Sequence, residues 1–254
     1  MPTLANRVAL ITGSTSGIGK GMAEHFATLG AKVVVHGRDA QAGARLVEAI
    51  RSRGGDAAFL GGDIADEAFC VSLVQGAVDR FGGLDVLVNC VALARGGGLL
   101  ETADAEWQAA FDHTLLPAVR ASRLAVPHMT RRGGGSIIII ASIFGREAGG
   151  RMTYNAVKAA EISLAKSLAQ QLAPSNIRVN SVSPGSFLFE GGSWWKRQQE
   201  NPVAIADYVK RELPFGRFGR ADELGDVVAF LASSRASWIS GTSIVVDGCQ
   251  SRSF

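Results

Sequence analysis

Short apolar runs that alternate with longer amphipathic stretches constrain this chain more than any other feature. The runs lie at 8–12, 32–36, 57–61, 84–90, 136–141, 177–182 and 243–247. Several are apolar at nearly every position, as strands buried on both faces of a parallel sheet must be. Between them, periodicity predicts helices over 18–29, 40–53, 67–81, 105–131, 152–172 and 222–232. Gly30, Gly54 and Gly82 stand where those helices should stop. Repeated strand–helix units of this kind wind into an α/β fold, here a mostly parallel, seven-stranded, doubly wound sheet flanked by helices. No linker or composition shift cuts the 254 residues, so a single domain over 1–254 is expected.

Other architectures are excluded by composition. Apolar residues make up 47%, too many for a disordered chain. The net charge is only +3 and the arginines are scattered, so no nucleic-acid partner is implied. The strongest apolar block, 137–141, is far below the roughly 18 residues of a membrane span. Cys70, Cys90 and Cys249 are odd in number and widely spaced, which suits neither a disulfide framework nor a zinc site. A soluble, cytoplasmic protein with no metal and no membrane partner is the expectation. The tract 183–219 breaks the alternation with Pro184, Pro202, Pro214, Gly191-Gly192, Phe187, Phe189, Trp194, Trp195, Phe215 and Phe218. An irregular tract so long and so aromatic reads as a substrate lid, or else as a cap on the core or on a subunit interface.

The first strand runs into Thr12-Gly13-Ser14-Thr15-Ser16-Gly17-Ile18-Gly19, and a helix follows at once. Small residues here permit a tight turn, bring backbone N–H groups close to a pyrophosphate, and aim the positive end of the helix at it. The turn alone is weak evidence. Placed after strand one of an α/β alternation, it marks a dinucleotide site through Gly13, Ser14, Ser16, Gly17, Ile18 and Gly19. At the end of the second strand an acidic residue would take an adenosine ribose 2′-hydroxyl, but Gly37 stands there and Arg38 follows. A guanidinium clamps a 2′-phosphate, so NADP(H) is expected over NAD(H). The alternative leaves Arg38 solvated and gives the ribose to Asp39.

Tyr154 and Lys158 are i,i+4 neighbours on one helix face. A free phenol titrates near ~10 and shuttles protons poorly at neutral pH. An ammonium ~5 Å away at an effective dielectric of ~20 favours the phenolate by about 3 kcal/mol. Ser142, at the end of the fifth strand, can donate a hydrogen bond to a substrate oxygen as charge develops there.

With these residues in place the sequence resembles the short-chain dehydrogenase/reductase family from about Val8 to Gly248. The likeness rests on the glycine turn, Asp63, Asn89, Ser142, Tyr154/Lys158, Asn180, Pro184-Gly185 and Val246-Asp247-Gly248. It implies a Rossmann-like sheet, a nicotinamide cofactor, and hydride transfer between carbonyl and alcohol. It further implies that Tyr154 is the acid/base, that Lys158 tunes it and holds the nicotinamide ribose, and that Ser142 orients the substrate oxygen. By the same resemblance Asp63 and Ile64 take the adenine, Asn89 steadies the adenosine side, the Pro184-Gly185 backbone approaches the nicotinamide, and the protein is a homotetramer.

The sequence also departs from the family pattern. Asn89-Cys90-Val91-Ala92 replaces Asn-Asn-Ala-Gly, with Cys90 as a small buried filler. The fourth catalytic position, normally an Asn that bends its helix, is Thr114, preceded by His113, which reads as a plain helix-surface residue. Phe189 replaces the Thr that contacts the carboxamide, and Gly248-Cys249 replaces Gly-Gly.

Two readings of function stay open. One is an oxidoreductase acting on a ketone or secondary alcohol, with the lid aromatics suiting apolar bulk and Lys196-Arg197 suiting an acidic group. Within it, a 3-oxoacyl thioester reductase would use Arg131-Arg132 against a carrier protein, although a helix-end Arg pair also offsets the dipole. The other is an idle dinucleotide-binding sensor or subunit, suggested by Thr114 and by the altered segment after Asn89. A methyltransferase-type fold would leave Tyr154/Lys158 unexplained.

Overall fold

The computed structural model describes residues 3–253. Its seven strands are β1 (Val8–Ile11), β2 (Lys32–Gly37), β3 (Asp56–Gly61), β4 (Val86–Asn89), β5 (Gly135–Ile140), β6 (Ile177–Pro184) and β7 (Ser243–Val246). They form one sheet in the order β3-β2-β1-β4-β5-β6-β7, and every neighbouring pair is parallel. The sheet is thus parallel throughout, not merely in the main. The nine α-helices among the described residues are α1 (Gly17–Thr28), α2 (Ala40–Ser52), α3 (Glu67–Phe81), α4 (Asp104–Ala110), α5 (Leu116–Arg131), α6 (Met152–Leu172), α7 (Ser193–Glu200), α8 (Pro202–Glu212) and α9 (Ala221–Ala232).

Strand alternation divides the core in two. Ala9, Ile11, Val33, Val35, Val88, Ile138 and Ile140 pack on one side with Met22 and Phe26 of α1, Leu46 and Ile50 of α2, and Leu224 and Val228 of α9. Leu10, Val34, Leu87, Ile137, Ile139 and Val179 face the other side, against Leu73 of α3, Ala121, Ala125 and Met129 of α5, and Ala165 and Ala169 of α6. The chain steps outward from β1 to β2 and β3, then returns across β1 to β4. Loops after β1 and β4 therefore diverge and leave a crevice at the carboxyl ends of the strands, where ligands bind in such sheets.

Two expectations change. The helix over 105–131 is interrupted by a π turn, Phe111–Leu115, between α4 and α5, so the helix is irregular around Thr114 although no Asn stands there. The tract 183–219 is not irregular, since it holds α7 and α8. Pro202 sits in the first turn of α8, where its missing N–H costs nothing, and Asn201 Oδ1 caps the helix by accepting from Ala204 N at 3.0 Å. Arg132, exposed just past α5, donates from Nε and Nη2 to the buried Asp85 at 2.9 and 3.1 Å. That bidentate bond orients the guanidinium toward the domain. Among the described residues no helix is long and apolar enough to cross a membrane.

Candidate active site

The turn after β1 depends on two left-handed glycines, Gly13 (φ 67°) and Gly17 (φ 60°), a region that costs an L side chain roughly 1–2 kcal/mol. Gly19 is needed for a different reason: a Cβ there would run into the carbonyl oxygen of Gly13. Asp39 and Asp66 cap α2 and α3 through Ala42 N and Phe69 N, whereas no side chain caps α1 at Ser16 and no acid stands in its first turn. The positive end of α1 is left to an anion. Ile18 packs against the core, and Ser14 is turned inward, its Oγ donating to Ile11 O at 2.7 Å and accepting from His36 N at 3.0 Å.

A cavity of about 280 Å³ opens beside the turn, lined by Gly13, Thr15, Ser16, His36, Gly37, Arg38, Gly62, Asp63, Ile64, the segment 90–93 and His113. His113 is therefore a wall of the crevice, not a plain surface residue. Arg38 is exposed and makes no hydrogen bond or ion pair with any described residue. A Cβ at Gly37 would collide with the Thr15 side chain, and Asp39 is occupied as the cap of α2. Asp63 Oδ1 accepts from Ala65 N at 3.0 Å, and Ile64 is buried beside it.

His36 braces this cavity from below. Its Nδ1 accepts from Gly13 N at 3.2 Å, which makes Nε2 the protonated nitrogen that donates to Gly62 O at 3.2 Å. Burial pulls its pKa down to about 4, against the opposing effects of the Gly62 bond and Asp63, so the ring is neutral at pH 7. Neither His36 nor Thr15 is among the site residues that the sequence pattern points to. The signal for His36 was a polar residue closing the apolar run Val33-Val34-Val35.

Hydroxyls and an arginine hold the segment after β4. Cys90 N donates to Thr12 Oγ1 at 2.9 Å, Leu93 N to Thr114 Oγ1 at 3.0 Å, Thr153 Oγ1 to Arg95 O at 2.6 Å, and Arg151 Nη1 to Ala94 O at 3.2 Å. Thr114 is buried and ties the π turn to this segment. Asn89 is buried with Nδ2 3.3 Å from Ser122 Oγ. Burial pushes the Cys90 thiol up to about 12, so it stays protonated.

Ser142 ends the stretch after β5 and starts a short 3₁₀ turn, Ile143–Gly145; its Oγ accepts from Phe144 N at 3.1 Å, leaving its own proton to donate. That turn lies against α6, since a Cβ at Gly145 would come within 2.6 Å of the Lys158 carbonyl carbon. On α6, Lys158 Nζ lies 5.5 Å from the centroid of the Tyr154 ring. The buried ammonium donates to Ile140 O at 2.7 Å and to Glu161 Oε2 at 2.8 Å. Burial pulls Lys158 down, but Glu161 and Tyr154 outweigh it and leave its pKa above the ordinary value.

Pro184 closes β6, and Gly185 is pressed against the C-terminal segment, where a Cβ would come within 2.6 Å of Asp247 Cβ. Phe189 lies over the glycine turn, its ring 3.0 Å from where a Gly17 Cβ would stand. Trp194 is not a free substrate wall: it stacks on Tyr208 at 4.3 Å, packs against Phe218 at 5.4 Å, and carries the Arg197 guanidinium 5.0 Å above its ring. The glycine cradle, the uncapped helix end and the unpaired Arg38 fit a dinucleotide phosphate chain.

A family model described as enoyl-(acyl carrier protein) reductase matches residues 13–249. An uncharacterized oxidoreductase from Thermotoga maritima is 36% identical over 251 residues, 95% of this chain and 96% of its own. The 3-oxoacyl-[acyl-carrier-protein] reductase of Staphylococcus aureus is 33% identical, over 94% of this chain and 96% of its own. The crystal structure of L-sorbose reductase from Gluconobacter frateurii, complexed with NADPH and L-sorbose, superposes with a TM-score of 0.92 at 32% identity, covering 99% of both chains. Sequence, fold and these likenesses agree: the chain belongs to the short-chain dehydrogenase/reductase family of oxidoreductases, whose fold binds a nicotinamide dinucleotide.

Proposed function

We propose that the protein is an NADP(H)-dependent oxidoreductase that moves a hydride between the nicotinamide and a ketone or secondary alcohol, with Tyr154 as acid/base. The observation that carries this reading is the Lys158 ammonium 5.5 Å from the Tyr154 ring, on the helix against which the Ser142 turn packs. When bound, the cofactor supplies or accepts the hydride. Glycines 13, 17 and 19 with Ser16 and Ile18 seat its phosphates, while Ser14, expected among them, is spent inside the turn on Ile11 O and His36; Asp63, Ile64 and Asn89 hold its adenosine side, and Pro184-Gly185 its nicotinamide end. Arg38 takes a 2′-phosphate: Gly37 brings no carboxylate to the ribose, and Asp39 spends Oδ1 on the cap of α2.

The chemistry then falls to three side chains. Ser142 donates a hydrogen bond from its hydroxyl to the substrate oxygen and holds it in line. Tyr154 gives its proton to that oxygen in reduction and takes it back in oxidation. Lys158 favours the phenolate, and Thr114 holds the segment after Asn89 in place. Residues 183–219 are the lid of this single-domain enzyme, which we assign to the cytoplasm as a homotetramer.

The likeness to L-sorbose reductase favours a small polar ketone. A 3-oxoacyl thioester is the second reading, favoured by the Staphylococcus aureus relative. NADPH oxidation with L-sorbose, other ketoses, aromatic ketones and a 3-oxoacyl thioester separates them. Turnover abolished in Tyr154→Phe supports the assignment; tight NADPH binding without turnover of any of these favours an idle dinucleotide-binding protein instead.

A further inference from the structure

The buried stripe of α6 runs through Val157, Lys158, Glu161, Ala165, Ala169 and Leu172, so a carboxylate lies among residues that otherwise suit packing. Lys158 and Glu161 are 2% and 1% exposed and 2.8 Å apart. Against apolar packing a buried ion pair is commonly neutral or unfavourable for stability, so stability alone does not account for Glu161. Its geometry offers another account. Lys158 Nζ has three donors; Glu161 Oε2 and Ile140 O take two and fix the ammonium at the carboxyl end of β5, two residues before Ser142. One donor is left for the Tyr154 side.

The carboxylate also balances charge. A lone ammonium near a phenol eases its ionisation, and a carboxylate bonded to that ammonium cancels much of the field. We propose that Glu161 is a positioning residue of the redox centre: it seats Lys158 Nζ beside Tyr154 and balances its charge, so that Tyr154 keeps the proton that carbonyl reduction consumes. The inference rests on the reading of Tyr154 as acid/base.

Among the described residues no other anionic group on the surrounding elements bonds to Lys158. Cys90, at the end of β4, remains a neutral thiol because burial pushes it up to about 12. On the π turn beside α6, Asp112 accepts from Gln108 Nε2 at 2.8 Å, and His113 lines the glycine-turn cavity. From β5 and β6 the side chains on this face are Ile137, Ile139, Ile177 and Val179, all apolar, with the hydroxyl of Ser181 next in register. Burial pushes the Glu161 carboxyl up to about 7, against the pull of Lys158, so on acidification Glu161 is neutralised first and the lysine charge is exposed to the phenol.

Tyrosinate difference absorbance tests this without substrate or cofactor. The chain has two tyrosines, so subtracting the titration of Tyr154→Phe isolates Tyr154. Glu161→Gln keeps the size and an acceptor for Nζ but removes the charge. The Tyr154 midpoint should fall by about one pH unit, and Lys158→Met/Glu161→Gln should return it toward that of the natural chain. Superimposable curves for Glu161→Gln and the natural chain overturn the proposal. If Glu161→Gln does not fold, Glu161→Asp, with its charge withdrawn by one methylene, should give a smaller shift in the same direction, and no shift again overturns it. Retained ketone turnover in Tyr154→Phe would instead sink the acid/base reading, while the titration still reports whether Glu161 governs the phenol.

Discussion

The Thr15 side chain fills the space that any side chain at Gly37 would need. On the proposed reading this contact disfavours NAD(H), because an acidic residue that would bind a ribose 2′-hydroxyl would meet Thr15 there. Arg38→Ala should raise KM for NADPH roughly 10- to 100-fold, the range of a lost charged hydrogen bond, and leave that for NADH nearly unchanged. Gly37→Asp alone should weaken both cofactors, whereas Thr15→Ala/Gly37→Asp should recover NADH. Kinetics with the two cofactors check this; an NADH preference in the natural chain would overturn it.

Removing the phenolic oxygen separates chemistry from binding. Tyr154→Phe should lower kcat about a thousandfold, within the range for a lost general acid. NADPH affinity, measured by fluorescence quenching, should change by less than about threefold, because the change removes a single hydroxyl group. A parallel loss of binding would mean that Tyr154 serves mainly to hold the cofactor.

His36 makes the glycine turn sensitive to acid. Its folded value of about 4 lies below the 6.5 of the free side chain. The unfolded chain therefore takes up the additional proton as pH falls through that window. The contribution to stability is complete above about 6.5 and is lost progressively down to about 4, a total near 3 kcal/mol. Thermal unfolding followed from pH 7 to pH 4.5 should show a shallower decline in His36→Gln than in the natural chain, and equal slopes would refute the assignment. Because Nδ1 accepts from Gly13 N, the same substitution should weaken NADPH binding at pH 7.

What could be read from sequence followed from periodicity and spacing. Consecutive apolar residues such as Val33-Val34 and Ile137-Ile138 announced strands buried on both faces, and the i,i+4 spacing of Tyr154 and Lys158 placed them together on α6. What escaped depended on tertiary partners. Pro202 reads as a breaker until Asn201 is seen to cap the helix it starts. The π turn at Thr114 is stabilised by Leu93, 21 residues earlier, which no local pattern carries. Glu161 was visible as a charged residue in an apolar stripe, but only the position of Lys158 Nζ gives that irregularity a meaning. The lid aromatics suggested a substrate wall, yet Trp194 spends its face on Tyr208.

That stack is tethered to the end of the chain. Tyr208 Oη lies 3.0 Å from Ser186 Oγ and accepts from Gln250 Nε2 at 3.1 Å, while Ser186 N donates to Gln250 Oε1 at 2.7 Å. Beyond it, Arg252 N and Ser253 N donate to Glu147 Oε2 at 2.7 and 2.8 Å, so one short segment grips both α8 and the loop before α6. Tyr208→Phe removes the hydroxyl at this junction but keeps the ring on Trp194. If 183–219 is a lid, the loss should fall on closure over substrate: KM for the ketone should rise about fivefold, the worth of one net hydrogen bond, with little change in kcat. Cleavage by trypsin after Lys196, Arg197, Lys210 or Arg211 should quicken, because opening of α7 and α8 becomes easier. Trp194→Ala, which removes the stack itself, should lower Tm as well as loosen the lid. Unchanged KM and proteolysis in Tyr208→Phe would show that the junction is passive, leaving the aromatic stack alone to hold this tract on the domain.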